Sequence, residues 1–137
     1  MARALPEEVD PVVWRRFALE DLAAARATIE VVVFPRQSSY HSQQAAEKAI
    51  KAVLLQQGIP PPFIHDISAL VARLPAEWQP SVSDADMADL TSWAIAQRYP
   101  GAIGAIARED AERSLRTADV LVRWMTSLVP DPEIAAG

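Results

Sequence analysis

The sequence predicts an all-α protein, an antiparallel up-and-down bundle of four to five helices. Three observations predict it. Apolar residues recur at three- and four-residue steps through several long segments, the spacing of one helix face. Proline, glycine and capping side chains punctuate those segments where helices start and stop. No segment shows sustained period-two alternation, the mark of a half-buried strand.

The elements follow in order. Asp10-Pro11 is a helix start, a capping carboxylate followed by a proline at the first helical position, where the missing N–H costs nothing. Trp14, Ala18, Leu22, Ala25, Ile29 and Val32 then mark one face. Val31-Val32-Val33-Phe34 reads as the end of this helix, with Pro35 stopping it. Ser38 and Ser39 are expected to cap a second helix running to about Gln57, with Gly58 as its terminator and Pro60-Pro61-Pro62 as a stiff connector. His65-Asp66 opens a short third helix through about Leu74, with Ile67, Leu70, Val71 and Leu74 as its stripe. Ser83 and Asp86 resemble a capping box, which predicts a fourth helix over residues 84–97. Pro100-Gly101 breaks it. A long final helix carries Ala111, Leu115, Ala118, Val122, Met125 and Val129 and ends before Pro130. The 137 residues make one domain with a core over about 10–129, and residues 130–137 read as a frayed tail.

Composition narrows the chemistry. With no cysteine and two histidines, disulfides, thiolate zinc sites, iron–sulfur clusters and cysteine nucleophiles are ruled out, and neither a metal nor a cofactor is expected. A net charge of −5 does not draw the whole molecule to nucleic acid or to an anionic membrane. No apolar run approaches the roughly 20 residues that span a bilayer, and the first ten residues lack the apolar centre of a signal peptide. A cytoplasmic location is the expectation. Phosphate loops, His-Glu-x-x-His and Gly-x-Ser-x-Gly are absent.

The second helix carries the most chemistry. At roughly 100° per residue, Ala46, Ala49, Ile50, Val53 and Leu54 share one face. His41, Gln44, Lys48 and Lys51 form a polar stripe nearly opposite, and Gln43 and Glu47 flank the apolar face. A carboxylate at that boundary is costly unless a cation or several donors meet it, and Arg98 and His65 are the candidate partners. Glu47 is therefore read as a structural polar group, with orientation of a ligand-binding arginine as the alternative. His65 and Asp66 are read as satisfying free backbone N–H groups at a helix start. Arg98-Tyr99, beside a proline-glycine break, offers a guanidinium for phosphate and a ring for stacking, with a salt bridge as the structural alternative. The four tryptophans (Trp14, Trp78, Trp93 and Trp124) read as core or dimer contacts.

Taken together, Asp21-Leu22, Tyr40 followed by Gln44-Ala45-Ala46-Glu47-Lys48-Ala49-Ile50-Lys51-Ala52, His65-Asp66-Ile67 and Arg98-Tyr99-Pro100 resemble the HEPN family, the higher eukaryote and prokaryote nucleotide-binding domains. The resemblance runs from about Phe17 to Leu128. It implies a four- or five-helix bundle, a homodimer, and a nucleotidyltransferase-type partner encoded nearby, in some cases as a toxin–antitoxin pair. Many members are metal-independent ribonucleases with a late Arg-x(4–6)-His motif, in which histidine handles the 2′-hydroxyl proton and arginine steadies the phosphate. Here Arg98 stands near the arginine position and no histidine follows it. The spacing occurs once, from Arg36 to His41, at the other end of the bundle. The reading is a non-catalytic nucleotide-binding and partner-docking domain, with Lys48, Lys51, Arg98, Tyr99, His41 and Gln44 as ligand-binding candidates. Two alternatives stand beside it: a ribonuclease toxin that acts on RNA through Arg36 and His41, and a purely structural interaction bundle.

Overall fold

A computed structural model describes residues 9–96 and 106–135, and among them every regular element is helical. The helices described are α1 (Pro11–Glu30), α2 (Pro35–Gln56), α3 (Ile67–Val71), α4 (Asp84–Ala96), α5 (Arg108–Leu128) and α6 (Pro132–Ala135), with a 3₁₀ turn at Ala76–Trp78. Four are long, as an up-and-down bundle requires. Side-chain pairs give their directions. Ser38 reaches Ala25 and Lys48 reaches Asp21, so α1 and α2 run antiparallel. Arg26 pairs with Asp119 and Arg15 with Val129, so α1 and α5 do likewise. The proline-glycine break at Pro100-Gly101, with Arg98 and Tyr99 before it, lies outside the described residues.

α2 is the central helix and packs against α1, α3, α4 and α5. Small residues make this possible. Ala45, Ala46, Ala49 and Ala52 are wholly buried, and Ala18 and Ala25 of α1 are too, so two helices approach with little side-chain bulk between them. Ile50, Val53, Leu54, Leu70, Leu90, Leu121 and Met125 fill the remaining space as one core, against which Trp14, Trp78 and Trp124 pack half-buried.

Asp10 caps α1 as expected, its carboxylate accepting the Val12 N–H at 2.9 Å. Three local expectations need correction. α1 ends at Glu30, and Val31 to Phe34 form an exposed connector, leaving Val32 outside the core. The β-branched run disfavours a further helical turn, and the N–H groups of Val31, Val32 and Phe34 turn back onto the Ala27 and Thr28 carbonyls to close the end. Pro35 therefore opens α2 as its first residue, where φ is already helical, rather than simply stopping α1. Ser38 and Ser39 lie inside α2, buried, and the Ser38 hydroxyl donates to the Ala25 carbonyl at 2.8 Å. Ser38 serves as a small contact with α1, and Ser39 is a small buried residue of the same turn; neither is a cap.

The third correction concerns the tail. Asp131 is buried and forms a two-pronged contact with Arg16, at 3.0 and 3.1 Å, followed by the short α6. Arg15 donates to the Val129 carbonyl at 2.8 Å, meeting the negative end of α5. Residues 130–135 are thus anchored rather than frayed. Hydrogen bonding to Arg16 holds the Asp131 carboxyl below its ordinary value, and the same contact raises Arg16. A lowered folded-state value means stability that is present above the ordinary carboxylate range and lost as pH falls through the lowered one. Asp131→Asn is therefore expected to melt below the parent at neutral pH, with the gap closing in acid; a gap unchanged between pH 7 and about 2 would show that ionisation of Asp131 contributes nothing.

At the other end of α2, Gly58 adopts φ +74°, with its N–H on the Leu55 carbonyl and the Ile59 N–H on the Leu54 carbonyl, a Schellman termination. A Cβ there would meet no atom within 4 Å, so the effect of a substitution is confined to the backbone. Gly58→Ala is expected to cost about 1 kcal/mol in denaturant unfolding, from the left-handed conformation alone. α3 stops at Val71, short of Leu74, yet Ile67, Leu70, Val71 and Leu74 are all buried. The Gln79 amide satisfies the freed Val71 and Leu74 carbonyls at 2.9 and 2.8 Å.

Candidate functional site

The polar stripe of α2 turns toward α1 and toward the connector ahead of α3, where it builds two charge clusters. In the first, Asp21 of α1 accepts from His41 Nδ1 at 3.1 Å and from Lys48 Nζ at 2.5 Å. Tyr40 meets the His41 ring edge-on, centroids 5.4 Å apart. In the second, the Glu47 carboxylate, 6% exposed, accepts from His65 Nδ1 at 2.6 Å, with Lys51 Nζ 3.6 Å away. Gln43 donates to the His65 carbonyl at 3.4 Å, and Gln44 donates to the Gln43 side chain at 2.8 Å.

The lysines also use their ammonium groups on aromatic faces. Lys48 stands 6.0 Å from the centre of the Phe17 ring, and Lys51 stands 5.7 Å from that of Trp14. Both amines are half-buried, so the rings replace hydration that the lysines give up. Asp66 performs the helix-start role alone, accepting the Ala69 N–H at 3.1 Å, which leaves the His65 ring to bridge to Glu47. Glu47 therefore meets His65, one of the two partners weighed for it; Arg98 and Tyr99 lie outside the described residues. Among the described residues no three side chains converge as metal ligands, and no helix is long and apolar enough to cross a membrane.

Arg36 and His41 lie five positions apart on α2, about 140° around the helix axis. His41 turns to Asp21, and Arg36 is exposed beside the first turn. The sequence reading missed the role of Asp21. A carboxylate one residue from Leu22, at the edge of the stripe formed by Ala18, Leu22 and Ala25, was the available signal. A group so placed needs donors on the facing helix, and His41 and Lys48 supply them.

The two clusters can hold and orient charge at the α1–α2 seam. Each carboxylate is matched by a histidine and a lysine, so the cations are partly committed within the fold. An anion arriving here has to share them.

Comparison with known proteins agrees with the architecture. The HEPN domain profile matches residues 12–128. The chain is similar to TT1696 from Thermus thermophilus, with 26% identity and a TM-score of 0.71, covering 83% of this chain and 94% of that one. It is equally similar to ST0689, an archaeal HEPN homologue, with 27% identity and a TM-score of 0.69, covering 88% of this chain and 98% of that one. No curated protein matches. With the profile spanning all four long helices and both charge clusters, the chain belongs to the HEPN family.

Proposed function

We propose that this domain is a non-catalytic nucleotide-binding and partner-docking module, working as a homodimer with a nucleotidyltransferase-type protein in a two-component, toxin–antitoxin-like pair. One observation carries the reading. The chain has two histidines, and both precede Arg98, so the late arginine–histidine pair of ribonuclease members has no proton-handling group here. The positions of the two histidines support it further. His41 is held on Asp21 and His65 on Glu47, in charge clusters that also brace the bundle.

Nucleotide phosphate would be met by Lys48, Lys51, Arg98 and Tyr99, with His41 and Gln44 at the edge. Isothermal titration with ATP, GTP and short RNAs tests this half. Saturable heat and a melting temperature that climbs with ligand are expected, worth about 2.7 kcal/mol of stabilisation at a hundredfold excess over Kd. No heat with any of the three, and an unmoved melting temperature, would remove it. Incubation with RNA tests the catalytic alternative, since cleavage by the parent that His41→Ala abolishes would replace the binding reading with a ribonuclease. Co-purification with the product of an adjacent reading frame tests the partner half.

A further inference from the structure

An apolar cleft of about 680 Å³ lies where the start of α1, the last turns of α2 and the connector 58–63 meet. Trp14, Leu55, Ile59, the run Pro60-Pro61-Pro62 and Phe63 line it, and Lys51 is the one charged residue among the described lining residues. Its volume falls in the range of about 300–1,000 Å³ typical of small-molecule sites. Three consecutive prolines fix the wall's φ angles and present no N–H, so that wall is stiff and apolar before any ligand arrives. Phe63 is fully exposed and supports no packing within the described fold, a large aromatic side chain left in water at the mouth of an apolar hollow.

The charge in the cleft is a single lysine, shared loosely with Glu47. Lys51 carries three donors, and its nearest carboxylate oxygen on Glu47 is 3.6 Å away, while that same carboxylate is gripped by His65 at 2.6 Å. The ammonium lies beside the Trp14 ring rather than locked in a short ion pair. One partly committed lysine balances one negative charge, not the several of a nucleoside triphosphate.

We propose that this cleft binds a small amphipathic monoanion, an aromatic or aliphatic carboxylate whose apolar body lies along Trp14, Ile59 and Phe63 and whose carboxylate accepts from Lys51. This goes beyond the nucleotide reading and shares only Lys51 with it. The geometry separates the contributions: the hydrocarbon walls supply affinity, and Lys51 supplies the preference for an anion.

Isothermal titration of the full chain with naphthaleneacetate, set against neutral naphthaleneethanol, tests the proposal. One saturable site per chain is expected, with the alcohol weaker by about tenfold, the ratio that a charge-assisted hydrogen bond gives. Phe63→Ala is expected to weaken naphthaleneacetate about fivefold or more, without moving the melting temperature, because the removed ring packs on nothing in the fold. Lys51→Met is expected to equalise acid and alcohol while the alcohol still binds. Should Lys51→Met fail to fold, the parent's acid-to-alcohol ratio and the Phe63→Ala variant decide alone. No saturable heat with naphthaleneacetate, equal affinity of acid and alcohol in the parent, or full affinity in Phe63→Ala would each overturn the proposal. A chain that binds naphthaleneacetate but not ATP keeps this site and loses the nucleotide reading; the reverse result does the opposite.

Discussion

A Glu47→Ala variant is expected to lose about 3 kcal/mol of folding stability in urea unfolding, the low end for breaking a buried charge pair. Glu47 sits on the central helix with its side chain 6% exposed and the His65 ring and the Lys51 ammonium directed at it. Removing the carboxylate leaves Lys51, whose side chain is 12% exposed, with a charge that nothing else in the second cluster balances. His65 loses less, because its ring is 61% exposed and water can take the place of the carboxylate. The double variant Glu47→Leu with Lys51→Met is expected to recover most of the loss, since an apolar pair at a buried site needs no compensation. A single-variant loss under about 1 kcal/mol would mean that the carboxylate is not bracing the fold, and would return Glu47 to the alternative of orienting a ligand-binding group.

Leu54→Ala is expected to cost about 2–5 kcal/mol and to lower the melting temperature by on the order of 10 °C. Leu54 is fully buried in the last turns of α2, in the cluster that joins this helix to α3, α4 and α5. Truncation removes the transfer free energy of three carbons and leaves a cavity between elements whose backbones are held on several sides, so collapse around it is limited. The Schellman closure at Gly58 uses the Leu54 carbonyl, which the substitution leaves in place. The loss therefore reports packing. A change below about 1 kcal/mol would show that this end of the bundle repacks freely.

Much of the fold was legible because the signals for it are local. Asp10-Pro11 and Gly58 act within a few residues of themselves, and both did what their chemistry dictates. Helical periodicity likewise placed Ala18, Leu22, Ala25, Ile29, Ala118, Val122 and Met125 in the core. Ser38 and Ser39 were misread for an instructive reason. A serine near a helix start has the same composition signal whether it caps or packs, and the choice was made by Ala25 of α1, a residue 13 positions away from Ser38. Val32 was misplaced because a periodic pattern does not register where the backbone stops following it.

The candidate site was legible in part. That Glu47 needs a cation followed from its position at the edge of an apolar face, and His65 was among the partners weighed. That Lys48 and Lys51 lie over Phe17 and Trp14, instead of standing in water, was not readable, because a helical wheel does not say which neighbour covers its polar side. Asp131 shows the same limit. A Pro-flanked aspartate near a chain end looks like tail, and it becomes an anchor only when α1 brings Arg16 across 115 positions to meet it.

The amino-acid order alone was enough for the helical class, the caps at Asp10 and Gly58, most of the core faces and the family, since each depends on interactions within a turn or two of the chain. The pairing of charges was settled by packing: Asp21 with His41 and Lys48, Glu47 with His65 and Lys51, Asp131 with Arg16. So was the apolar cleft between α1 and the proline connector. These contacts join residues 4 to 115 positions apart. Apart from Glu47 and Lys51, one turn apart on α2, whether such groups meet depends on how the helices and their connectors pack together, which no local pattern encodes.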